Sequence, residues 1–154
     1  LPDHVAGITH LASRYPEMDL GRVGMYGKSA GGFMTGQAML TYPEFFKVGF
    51  AASGNHDSRL YASYWGEKYE GLPDATSYTN EETLMKAENL TGHLFLMTGE
   101  LDDNVHPSAT FQLADALIRK GKDFEMFVFP NRNHELNYDP FYLRKMIGYF
   151  ERYL

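Results

Sequence analysis

The sequence predicts an α/β fold, a mostly parallel sheet of about four strands flanked by helices, in one domain over residues 1–154. Three observations carry the prediction. Short apolar runs alternate with stretches of helical periodicity along the whole chain. The apolar runs are continuous rather than strictly alternating, the pattern of strands buried on both faces of a parallel sheet. Strand and helix follow one another at the spacing of right-handed βαβ units.

Each element has its own signal. "DHVAGITHLASRYP" places Val5, Ile8, Leu11 and Ala12 on one helical face, and Pro16 stops the run. "RVGMYG" reads as a first strand. Residues 30–41 read as a helix that ends before Pro43. "KVGFAAS" is a second strand. Thr79 and Glu82 have the spacing of a capping box for a short helix through Lys86. "HLFLMT" is a third strand. Pro107 then opens a helix with Phe111, Ala114, Leu117 and Ile118 expected inward, closed by Gly121. "FEMFVF" is a fourth strand. Asp139 and Pro140 start a last helix, with Leu143, Ile147 and Phe150 expected inward.

Composition narrows the function. At 154 residues and 44% hydrophobic, the chain can bury a sizeable core. Its net charge is −6, and its basic residues are scattered, so nothing in it favours nucleic acid. The chain has no cysteine, which excludes a disulfide framework, a thiolate zinc site and a thiol nucleophile. No apolar run approaches the length of a membrane span. No signal peptide is visible at "LPDHVAGITH".

In a parallel sheet, reactive groups lie beyond the carboxyl ends of the strands. The loop after the first strand holds "GKSAGG", residues 27–32, which fits G-x-S-x-G between a strand and a helix. In that context Ser29 stands on a sharp strand-to-helix turn as a candidate nucleophile. Gly27 and Gly31 would let strand and helix approach closely. The N–H of Ala30, at the helix N-terminus, can stabilise an oxyanion. The bland alternative is a glycine-rich turn with a helix-capping serine.

A nucleophilic serine needs an acid and a histidine, in the order Ser, Asp, His for this strand arrangement. The loop after the third strand reads "GELDDNVHP" and the loop after the fourth reads "PNRNHEL". Asp102 and His134 fit, 73 and then 32 residues along the chain. Asp103 is an alternative acid. His106 reads as a contact at a helix N-terminus, and His4, His10 and His93 as structural. His56 and Asp57 lie in a strand-end loop but precede the acid, which breaks the triad order. A metal site built from His56, Asp57, Asp102 and Asp103 lacks any tight ligand spacing.

With these residues in view, the sequence resembles the catalytic domain of the prolyl oligopeptidase family, in its dipeptidyl peptidase IV-like branch. The resemblance is carried by "GKSAGG", "EKYEGLP", "MKAENL", "GELDDNVHPSATFQLADALIRKGKDFEMFVFP" and "NRNHEL". It implies a partial α/β-hydrolase fold, with Ser29 as nucleophile, Asp102 as acid and His134 as base. It further implies that Asn104 contacts a substrate carbonyl and that Val105 helps to line the pocket before the scissile bond. Tyr61 and Trp65, in "YASYW", match the branch's pocket aromatics; helix packing is the competing reading. No metal or organic cofactor is implied.

The chain departs from the family pattern in two ways. Lys28 stands before the serine, where the branch often carries an aromatic residue. The elbow follows the fifth strand of eight in the family's hydrolase domain, but the first strand here. The resemblance therefore covers the C-terminal half of that domain. A tyrosine hydroxyl that completes the oxyanion hole, and a β-propeller, would lie outside these residues. The expectations are a serine peptidase acting on short peptides, a chain nearly inactive by itself, self-association through an exposed sheet edge and, from family habit, an extracytoplasmic compartment. A carboxylesterase of the same fold is the alternative enzyme, and an inactive half that only packs against other protein is the alternative of another class.

Overall fold

The computed structural model describes residues 1–72 and 84–154. The expected capping box at Thr79 and Glu82 lies outside the described residues. Four strands form one sheet: β1 (Val23–Lys28), β2 (Phe46–Ala52), β3 (His93–Gly99) and β4 (Glu125–Phe129). They lie in sequence order, and every neighbouring pair is parallel. The helices are α1 (Pro2–Ala12), α2 (Ala30–Thr41), α3 (Ser63–Glu70), α4 (Ser108–Arg119) and α5 (Pro140–Tyr153). The predicted α/β class and strand count are borne out.

Alternation along the central strands divides the interior into two cores. Ala51, Leu94 and Leu96 face one core, packed against Met39 and Leu40 of α2 and Leu113 and Leu117 of α4. Val48, Phe50, Phe95 and Met97 face the other, packed against Tyr142 and Tyr149 of α5. Side chains on a strand point to opposite faces with period two. Both faces of β2 and β3 are therefore covered, which is why these strands read as unbroken apolar runs.

The helix ends follow their sequence signals. Asp139 Oδ1 accepts the N–H of Phe141 at 2.9 Å, with Pro140 in the first turn of α5. Gly121 ends α4 at φ 63°, where a side chain would be strained. The N–H of Lys122 bonds the carbonyl of Leu117, and the N–H of Gly121 that of Ile118, completing the paired C-terminal cap.

The inward faces of two helices differ from the sequence expectation. In α4, Ala114 and Leu117 are buried as expected, but Phe111 and Ile118 are exposed. The buried stripe is Ala109, Thr110, Leu113, Ala114 and Leu117, one residue round the helix from the expected one. In α5, Leu143 and Ile147 are exposed and Phe150 is half-buried, while Tyr142 and Tyr149 are buried. The rings of Phe50 and Phe95 select that face. Tyr142 meets Phe50 edge-on at 5.4 Å between centroids, and Tyr149 meets Phe95 at 5.1 Å. In α1 no residue is fully buried and Leu11 is exposed, although Val5 packs against the first core.

Candidate active site

The carboxyl ends of β1, β3 and β4 carry the expected triad residues. Ser29 follows β1 directly and precedes the first residue of α2. Its backbone sits at φ 60°, ψ −124°, a region that L-residues other than glycine rarely adopt. Such a conformation costs on the order of 1–3 kcal/mol and persists only where the surroundings fix it. Here the N–H of Ser29 donates to the carbonyl of Ala52 at 2.9 Å, and its own carbonyl accepts from Phe33 at 3.0 Å.

The glycines divide the work differently from the sequence reading. A Cβ on Gly27 would collide with the backbone of Gly31. A Cβ on Gly31 itself would meet nothing within 4 Å. The second glycine that close approach requires is Gly32, whose Cβ would strike the backbone of Ala52 in β2. Helix α2 thus rests on two adjacent strands at its first turn. Ala30 is exposed as the first helical residue, so its N–H belongs to the unpaired donors of a helix N-terminus.

Asp102 and His134 are brought together. His134 Nδ1 lies 2.9 Å from Oδ2 and 3.1 Å from Oδ1 of Asp102. Both side chains are nearly inaccessible, at 9% and 0% exposure. Asp102 Oδ1 also accepts the N–H groups of Asn104 at 3.1 Å and Val105 at 2.9 Å. A carboxylate only accepts, so Nδ1 of His134 is the donor and Nε2 is left as the basic nitrogen. Asp103 is exposed and takes no part in this arrangement. A Cβ on Gly99 would run into the carbonyls of Arg132 and Asn133, so the end of β3 lies flat under the histidine loop. Among the described residues no hydrogen bond joins Ser29 to His134.

The remaining candidates fall around this pair. The hydroxyl of Tyr61 donates to Asn104 Oδ1 at 2.8 Å. Tyr61 and Trp65 meet edge-on at 5.4 Å, and Trp65 and Tyr69 pack tilted at 4.8 Å. Asn104 is exposed, whereas Val105 is buried under its loop. Arg59 grips both carboxylate oxygens of Asp57, and those bonds hold the Asp57 pKa below the ordinary value. His56 is fully buried, and burial lowers its pKa to about 4. His106 Nδ1 accepts the N–H of Ser108 at the start of α4, as expected. Among the described residues no group of His, Asp or Glu is placed to hold a metal ion.

Glu135 is a residue the sequence reading missed. Its carboxylate lies 3.1 Å from Nζ of Lys28, joining the two residues that flank His134 and Ser29. They are 107 positions apart, and no local pattern pairs them.

The whole chain, residues 1–154, matches the profile of the prolyl oligopeptidase family. It is 33% identical over 141 residues to human dipeptidyl peptidase 8, covering 88% of this chain and 16% of that protein. It is 28% identical over 138 residues to the rat protein called inactive dipeptidyl peptidase 10, covering 88% of this chain and 17% of that protein. The crystal structure of Porphyromonas gingivalis dipeptidyl peptidase 4 superposes with a TM-score of 0.90 at 28% identity, over 99% of this chain and 22% of that one. The chain thus spans about a sixth of the length of these curated relatives. By its profile match over every residue and by these likenesses, the chain belongs to the prolyl oligopeptidase family, in its dipeptidyl peptidase IV-like branch.

Proposed function

We propose that the chain carries the nucleophile, acid and base of a serine peptidase that cleaves short peptides through an acyl-enzyme. The observation that carries this reading is the buried Asp102–His134 pair, set on the same rim as a serine held at positive φ. Ser29 Oγ attacks the scissile carbonyl, and His134 Nε2 takes its proton. The tetrahedral oxyanion turns toward the N–H of Ala30. His134 then gives the proton to the leaving amine, and water releases the acyl group by the same route. Asp102 keeps the imidazole in the productive tautomer and stabilises its charged form. Asn104 holds a substrate carbonyl, and Tyr61, Trp65 and Val105 shape the pocket.

The family includes a member named inactive, so activity rests on the residues and not on membership. A carboxylesterase uses the same triad chemistry. Comparing the full-length protein on aminoacyl-prolyl amides and on p-nitrophenyl esters separates the two. Peptidase turnover that vanishes in Ser29→Ala supports the proposal. Ester turnover alone would replace it with the esterase, and no turnover of either would replace it with the inactive reading.

A further inference from the structure

The loop that carries His134 starts at one edge of the sheet and ends against the other. It leaves β4, yet Glu135 touches Lys28, the last residue of β1. β1 and β4 are the two edge strands of a four-stranded sheet. Three strand spacings separate them, about 14 Å. The loop therefore leans from β4 over the end of β3 toward the elbow strand, and the long side chains of Glu135 and Lys28 complete the span.

Its near end is fastened several times. The N–H of Leu101 donates to the carbonyl of Arg132 at 2.9 Å, and the N–H of Asn131 to Glu100 Oε2 at 3.0 Å. Arg132 binds Asp139 at 2.7 Å. Asn133 Oδ1 accepts the N–H of Glu135 at 3.0 Å. His134 itself is held by Asp102. All of these bonds tie the loop to β3, to itself or to the start of α5. Among the described residues, the side-chain bond from this loop to the elbow strand is the Lys28–Glu135 ion pair.

We propose that Lys28 and Glu135 are positioning residues that hold the histidine loop against the nucleophile elbow. This rests on the assignment of Ser29 and His134 above. The pair brackets the reacting residues directly: Lys28 precedes the nucleophile and Glu135 follows the base. The Lys28 side chain is 22% exposed and that of Glu135 55%, so the pair lies at the open rim, within reach of salt. Proton transfer from Ser29 to His134 needs the two within hydrogen-bond reach, and a shift of a fraction of an ångström slows it. The pair acts on the separation of those groups and not on the pocket, so its loss falls on kcat and not on KM.

The test uses the full-length protein with Lys28→Met, Glu135→Gln and the swap Lys28→Glu with Glu135→Lys. Peptide kinetics are read at low and high salt, beside amide exchange over residues 131–136. Each single variant should lower kcat about two- to fivefold with KM unchanged, the size of one ion pair. Exchange in the loop should rise by a similar factor. High salt should reproduce the loss in the parent, and the swap should recover at least half of it. Single variants with parental kcat and exchange, a loss confined to KM, or a swap no better than either single change would overturn the proposal. Loop exchange reports the tether even if Ser29 does not react. An unreactive Ser29 with a salt-sensitive, charge-dependent loop would remove the catalytic reading and leave the tether standing.

Discussion

Protonating His56 should destabilise the folded chain as pH falls from 6.5 toward 4. The imidazole is fully buried, and neither ring nitrogen has a hydrogen-bond partner among the described residues. Ring atoms would lie 2.6 Å from a Cβ on Gly54 and 3.1 Å from one on Gly36, so the site fits the ring closely. Burial lowers its pKa from 6.5 to about 4. A depressed histidine pKa means that the unfolded chain takes up the proton first. Its contribution is constant above pH 6.5, and stability falls as pH drops from 6.5 toward 4. At about 1.36 kcal/mol per unit, the loss between pH 7.5 and 4.5 is on the order of 2.5 kcal/mol. Asp19, Asp57 and Asp139, whose pKa values lie below 3.8, contribute little in that window. Urea unfolding at the two pH values, followed by the single tryptophan, Trp65, measures the loss. His56→Gln cannot titrate and should lose about 2.5 kcal/mol less than the parent over the same interval. Equal pH dependence in the two proteins would refute the assignment of a neutral, buried His56.

Four further outcomes follow from the geometry. Gly27→Ala and Gly32→Ala should each destabilise by about 1–3 kcal/mol, because the added methyl meets backbone, while Gly31→Ala should change stability far less; thermal unfolding ranks the three. Asn104→Ala in the full-length protein should lower kcat/KM roughly 3- to 10-fold, the worth of one neutral hydrogen bond, and unchanged peptide kinetics would leave Asn104 as a loop brace. Tyr61→Phe frees Asn104 Oδ1 and should give a smaller loss of the same kind in the same assay. The 154-residue chain by itself should self-associate through the outer edge of β1, along Val23, Gly24 and Met25, which sedimentation at several concentrations would show as a rising mass.

What could be read from the residues alone was what short-range chemistry dictates. Unbroken apolar runs marked β2 and β3 because both of their faces are covered. Gly121 and the Asp139-Pro140 pair marked helix ends because backbone geometry demands those residues. "GKSAGG" stood out because a serine at positive φ needs glycines around it. Asp102 and His134 followed from strand ends and chain order. The inward faces of α4 and α5 did not follow. Each helix offers two overlapping apolar stripes, and the sheet face it covers chooses between them, Leu94 and Leu96 for α4 and the rings of Phe50 and Phe95 for α5. The role of Gly32 in place of Gly31 depends on how α2 meets β2, which a five-residue motif does not encode. The ion pair of Lys28 with Glu135 depends on a loop that leans back over the sheet, and a separation of 107 positions hides it.

A nucleophilic Ser29 activated by Asp102 and His134 makes a direct chemical prediction. Reacting the full-length protein with a fluorophosphonate and locating the adduct by mass spectrometry tests it most directly. One adduct is expected, on Ser29, lost in Ser29→Ala and nearly lost in His134→Ala, because such residues act as a unit. An adduct that persists in Ser29→Ala, or forms at full rate in His134→Ala, would contradict it.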